Sequence, residues 1–295
     1  MTGLAMRGLT VFLALTAAGS WPAAAQRGTA QRGTAATGAS VCTVAAGVRP
    51  VRELREGSGV ALSRRTPGLL WSHNDSGPPM LIALDASGAA KGRVTVAGAR
   101  VGDWEDVSAG PCPQGSCLYI ADIGDNNGVR RSITVYRVPE PRPGDAMTAP
   151  AEALNAVYPD GPHDAEALIV ASADDLYIVT KSGGRGQTAL YRFPKPLRAG
   201  TAARLERVAG VPLMRVTGAA ASPDGAWVAL RTNDEVVFFP ARQLLAGMAD
   251  SGRRFDLRAL KEPQGEGVAV GADGVVYLVG EGRPGTLASL KCSLR

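Results

Sequence analysis

The chain has 295 residues, room for one large or two ordinary domains, and 45% of them are hydrophobic, enough for a packed core. Its formal charge of +5 is small and spread out. No Lys/Arg run interleaves with aromatics, which argues against nucleic acid as a partner.

Met1–Ala25 reads as a secretory signal peptide: Arg7 opens it, Leu9–Ala18 is apolar, and Ala23-Ala24-Ala25 precede Gln26. Small residues at −3 and −1 are what signal peptidase accepts. The apolar run is too short to span a bilayer, and no later run is longer. Cys42 lies too far from it to be a lipoprotein cysteine. The expectation is a monomeric, soluble, exported protein, secreted or periplasmic after cleavage near Ala25. Residues 26–40 begin with a tandem QRGTA-QRGTA and read as a flexible, low-complexity linker.

Residues 41–295 are predicted to form one domain, because a single pattern recurs through them. Val41–Val48 is a strand with no partner nearby. The first repeat holds strands at Ser58–Ser63, Leu69–Gly77, Met80–Ala86 and Gly92–Val96. The second has Trp104–Ala109, Cys117–Gly124, Ser132–Val138 and a poorly defined strand near Leu154–Tyr158. The third has Ala165–Ala171, Asp175–Lys181, Ala189–Phe193 and Leu205–Val211. The fourth has Val216–Ser222, Ala226–Asn233, Glu235–Pro240 and Phe255–Leu260. The fifth has Gly265–Val270, Val275–Gly280 and Thr286–Cys292, and lacks a fourth strand. Trp71, Tyr119, Tyr177, Val228 and Tyr277 mark equivalent places in the second strands. A period near 50 residues built from short strands predicts an all-β propeller of five blades. The long irregular stretch Pro139–His163 leaves room for a sixth. Val41–Val48 supplies the strand missing from the last blade, so the two ends of the domain close the ring.

Four cysteines in an exported chain predict two disulfides. Cys112 and Cys117 would staple a hairpin, and Cys42 and Cys292 would lock the closure.

In a propeller, inner-strand starts and second-strand ends share one face, and the polar residues gather there. The expected binding set is Asn74, Asp75, Glu105, Asp106, Asp122, Asp125, Asp164, Glu166, Glu266 and Glu281. Such oxygen-rich clusters suit Ca²⁺, with Glu105, Glu166 and Glu266 as the candidate ligands. His73, His163, Lys181 and Arg231 are the candidates for acid/base or anion-stabilising chemistry. There is no G-x-S-x-G and no Walker loop. Gly280–Gly285 matches GxGxxG by letters, but a strand follows it, not a helix.

The phrases WSHNDSG, GDWEDVSAG, LYIADIGDN, PDGPHDAEAL, LYIVTKSGG and QGEGVAV resemble those of secreted bacterial propellers of the broad group that includes NHL-type and phytase-esterase-like members. The resemblance implies the fold over nearly all of 58–294, while activity in the group ranges from lactonase and phosphatase to plain binding. The inner-strand acids typical of such repeats match Glu105, Glu166 and Glu266. Ser58-Gly59 and Gly218-Ala219-Ala220 depart from that pattern, so the acidic ring is incomplete and a calcium-phytase mechanism is disfavoured. Two functions stay open. One is a binding module with an acidic, Ca²⁺-capable pocket for a small molecule, glycan or envelope protein. The other is a metal-dependent phosphoesterase or lactonase.

Overall fold

A computed structural model of the protein describes residues 40–182, 187–249 and 251–294. The predicted signal peptide and nearly all of the predicted linker lie outside the described residues.

The described chain forms five antiparallel sheets set around an axis. Strand β1 (Cys42–Val51) comes first in the chain but belongs to the last blade. Blade one is β2 (Gly57–Leu62), β3 (Leu69–Asn74), β4 (Met80–Asp85) and β5 (Ala90–Thr95). Blade two is β6 (Trp104–Cys112), β7 (Gly115–Asp122), β8 (Ile133–Pro139) and β9 (Glu152–Val157). Blade three is β10 (Ala165–Ser172), β11 (Asp175–Thr180), β12 (Ala189–Arg192) and β14 (Glu206–Gly210). The short β13 (Ala203–Arg204), on the way to β14, adds in parallel to the outer edge of blade two. Blade four is β15 (Gly218–Ala221), β16 (Trp227–Arg231), β17 (Glu235–Pro240) and β18 (Arg253–Asp256). Blade five is β19 (Gln264–Val270), β20 (Val275–Glu281) and β21 (Gly285–Cys292), with β1 paired antiparallel on β21. The protein is therefore a five-bladed β-propeller closed by its N-terminal strand.

The core is not one centre but five apolar layers, one in each seam between neighbouring blades. Alternation of inward and outward side chains along each strand puts one face of a blade into each seam. Trp71 and Tyr119 are fully buried at equivalent places in their blades, opposite Ala61 and Ser108 of the inner strands. Small residues on the inner strand give the large ones on the second strand room to lie flat.

Both expected disulfides are present. Cys42 and Cys292 are register partners of β1 and β21, 250 residues apart in sequence. Cys112–Cys117 clasps the β6–β7 hairpin.

No sixth blade forms between Pro139 and His163. Residues 143–151 instead run along the outer edge of blade one. The Thr148 and Ala151 amides donate to the Thr95 and Ala97 carbonyls at 2.9 and 2.8 Å, and the Thr95 amide donates to the Ala146 carbonyl at 3.1 Å. A Cβ on Gly92 would fall 1.7 Å from the Pro143 carbonyl oxygen, so this strap lies directly on the strand. It covers an edge that would otherwise be open to another chain. Glu140, at its start, is buried and accepts from the Trp71 indole at 3.1 Å and from the Ser63 and Ser116 hydroxyls. Among the described residues no helix is long and apolar enough to cross a membrane.

Candidate functional site

Each inner strand opens with the same three-residue step. The five copies are Ser58-Gly59-Val60, Glu105-Asp106-Val107, Glu166-Ala167-Leu168, Thr217-Gly218-Ala219 and Glu266-Gly267-Val268. In blades one, two, three and five the pairing register shifts at this step. A bulge sets two residues against one and re-aims a side chain, here the first member of the step.

The middle member faces the next blade across the axis. A Cβ on Gly59 would lie 2.3 Å from the Val107 nitrogen, one on Gly218 2.6 Å from the Glu266 carbonyl oxygen, and one on Gly267 2.6 Å from that of Ser58. The exception in size is Asp106. Its carboxyl accepts the Val107 amide at 2.8 Å, the Leu168 amide at 2.9 Å and the Ala219 amide at 3.3 Å. Asp106 is fully buried, and that burial drives its carboxyl well above the usual range despite three amides pulling it down. It ties blades two, three and four together and plugs the axis.

The first members form a ring at the mouth: Ser58, Glu105, Glu166, Thr217 and Glu266. In blade four the ring position is Thr217, one residue before the Gly218-Ala219-Ala220 expected from sequence. The two hydroxyls serve the seams. Ser58 Oγ donates to the Glu105 carbonyl at 2.7 Å, and Thr217 Oγ1 to that of Glu266 at 3.2 Å. The three carboxyls are buried, none more than 6% exposed. The Lys181 ammonium donates to Glu166 Oε1, while Glu166 Oε2 is buried without a hydrogen-bond partner. Gln264 Nε2 donates to Glu266 Oε1 at 2.6 Å.

Two residues before each ring member stands a second set: Glu56, Asp103, Asp164, Arg215 and Gln264. Asp103 meets Glu105 over Gly124, where a Cβ would lie 2.4 Å from Asp103 Oδ2 and 2.3 Å from Glu105 Oε1. Crowding of buried acids shows in their protonation. Burial, with Asp103 and Glu266 adding repulsion, pushes Glu105 up to about 9. Burial, reinforced by Glu281, pushes Glu266 up to about 7. Burial and a hydrogen bond to Glu56 push Asp75 up to about 7. Glu281 and Asp103 are raised as well, chiefly by burial.

Other residues predicted for the site have local work. Asn74 accepts the Glu56 amide at 3.0 Å and donates to the Glu53 carbonyl at 3.1 Å. Asp122 accepts the amides of Gly102 and Asp103, both at 3.0 Å, and pairs with Arg130 at 2.8 Å. Asp125 accepts the amides of Val129 and Arg130, and Asp164 Oδ1 takes the Asp125 amide at 2.8 Å.

Of the four residues considered for chemistry, only Lys181 reaches the ring. Arg231 is fully buried in the seam between blades four and five, donating to the Gly267 and Val279 carbonyls at 2.7 Å and pairing with Glu262 at 2.5 Å. His73 is buried edge-on to Trp104, its Nδ1 donating to the Asn74 carbonyl, and burial lowers it to about 4. That lowering favours the neutral ring near pH 7. His163 lies against β12, with its Nε2 3.0 Å from both Asp160 and the Tyr191 hydroxyl.

Sequence reasoning did not place Glu56, Gln264, Arg215 or Glu262 in the site. The first three share one signal, the recurring position two before each ring member. Glu262 carries no such mark.

A cleft of about 1120 Å³ opens beside the ring at blades three and four. Lys181, Gln264 and Glu266 line it together with Val211, Leu213 and Met214, Arg215, and the Glu235–Arg254 ion pair. A separate cavity of about 740 Å³ at the far ends of the inner strands, lined by residues such as Val60, Val170, Ala220 and Ala269, shares no residue with it.

The ring shows no formed Ca²⁺ site. Six to eight oxygens are needed around that ion. Here a lysine ammonium already takes one oxygen of Glu166. Among the described residues no three His, Cys, Asp or Glu side chains are arranged to hold a metal.

No protein-family model and no curated protein sequence matches the chain. Solved structures do. The PQQ-bound aldose sugar dehydrogenase of Streptomyces coelicolor is 12% identical with a TM-score of 0.51, over 85% of this chain and 98% of that one. The soluble aldose sugar dehydrogenase of Escherichia coli in its apo form is 11% identical with a TM-score of 0.50, over 83% and 99%. At such identities the likeness is one of fold alone.

Proposed function

We propose that the protein is an exported binding module whose acidic mouth takes a small polar ligand through a protonated amine or another strong hydrogen-bond donor. The observation that carries this reading is Glu166 Oε2, a buried carboxylate oxygen with no partner, on the residue held by the cleft-lining Lys181. Leaving such an oxygen unpaired costs about 1–3 kcal/mol, which a ligand donor recovers. Glu266, which lines the cleft, adds a second carboxylate, and Lys181 fixes Glu166 so that one oxygen stays free. The two disulfides and the signal-like first 25 residues support export. The resemblance of the repeats to NHL-type and phytase-esterase-like propellers is compatible with it.

Calorimetric titration of the mature chain with n-hexylamine and, separately, with Ca²⁺ at pH 7 tests this. The amine is expected to bind, with at least tenfold loss in Glu166→Gln. Failure of the amine to bind would overturn the reading, and tight Ca²⁺ binding in its place would restore the metal site expected from the sequence.

A second reading, hydrolysis, is favoured by one observation. Glu105 is protonated near neutral pH and touches the carboxylate of Asp103, an arrangement suited to proton donation. Turnover of a lactone or phosphoester that disappears in Glu105→Gln would decide for it.

A further inference from the structure

The second ring breaks its own pattern once. Glu56, Asp103, Asp164 and Gln264 are acids or an amide, and the residue in their place in blade four is Arg215. Arg215 is exposed at the cleft. Of the basic residues that line the cleft, Lys181 is held by Glu166 and Arg254 by Glu235. The Arg215 side chain makes no hydrogen bond or ion pair among the described residues. Its backbone is also unusual. It is left-handed, with φ 57°, and its amide donates to the Ser182 carbonyl at 3.3 Å. A turn of that shape favours glycine, and a long side chain there adds strain.

Leu213 and Met214 add apolar surface to the same cleft. A cation without a partner, the Glu266 carboxyl and apolar side chains in one cleft define the complement. The geometry points to a bipolar ligand, an amino carboxylate whose ammonium meets Glu266 and whose carboxylate is held by Arg215, with an aliphatic spacer between them. This rests on the binding reading above and adds the anionic half of the ligand. Guanidinium recognises carboxylate through two parallel hydrogen bonds, so Arg215 would set both orientation and length.

A series of ω-amino carboxylates, from 3-aminopropanoate to 8-aminooctanoate, measures that span by calorimetry on the mature chain. Alkylamines and alkyl carboxylates of the same carbon number serve as the half-ligands. One length is expected to bind at least tenfold more tightly than its amine. In Arg215→Gly that advantage is lost while amine affinity is kept, and in Arg215→Lys part of it returns. Glycine takes φ 57° without strain, so loss of binding in that variant does not report misfolding. Equal affinity for amines and amino carboxylates at every length would overturn the proposal and leave the acidic-mouth reading standing. So would an advantage that survives in Arg215→Gly. Arg215-dependent binding of plain carboxylates with no binding of amines would sink the acidic-mouth reading and with it the bipolar ligand, keeping only the anion contact. No binding of any probe would overturn both.

Discussion

Glu105, Glu266 and Asp75 are carboxyls that burial in the fold pushes upward, and this sets a direction for stability. An acid raised in the folded state binds more protons there than in the unfolded chain. Its stabilisation is full below the unfolded value and is lost as pH rises through the folded one. His73, lowered to about 4, acts oppositely, but only between about 4 and 6.5. The clean window is therefore pH 7 to 9, where Glu105 titrates. The melting temperature is expected to fall across that window in the wild type and to fall less steeply in Glu105→Gln, where Asp106, also raised by burial, keeps part of the slope, as scanning calorimetry would show. Arg231 makes a separate prediction. Replacing it by alanine strands the Glu262 carboxylate in a seam where both partners are almost wholly buried, at a cost of about 3–5 kcal/mol in chemical denaturation. The double variant Arg231→Met/Glu262→Leu should recover much of that loss. The sequence shows Arg231 only as a polar residue at a second-strand end. Its partner lies 31 residues on, and only blade packing brings the two together.

Strands were legible because each is short, apolar and bounded by turn residues, and because five copies correct one another. Asp224-Gly225 and Asp273-Gly274 mark hairpins where glycine takes φ 70° and 79°. The strap after β8 was not legible as such. It has no periodicity, and its place is fixed by hydrogen bonds to a blade it does not belong to. The small helix Ala241–Leu245 was missed for a similar reason, being a single turn that follows Pro240. The two disulfides differ at this scale. In the loop-entropy model, a bridge across 250 residues stabilises by about 5 kcal/mol and a five-residue staple by about 2 kcal/mol. Cys42→Ser/Cys292→Ser is thus expected to lower the denaturation midpoint more than Cys112→Ser/Cys117→Ser does. The reverse order would mean that closure is held by the β1–β21 ladder alone.

For the molecule as a whole, blade number and closure could be read from spacing, since each repeat must bury its faces against two neighbours. The convergence of Glu105, Glu166 and Glu266 could be read too, because a propeller sends equivalent residues to one mouth. The cleft could not. It lies beside the ring, at blades three and four, and draws on connecting segments such as 210–215. That asymmetry is what turns a nearly fivefold ring into a site with a front and a back.

Asp106 has one more consequence. By bonding to three blades across the axis it fills the centre of the propeller between the mouth and the far cavity, two recesses that share no lining residue.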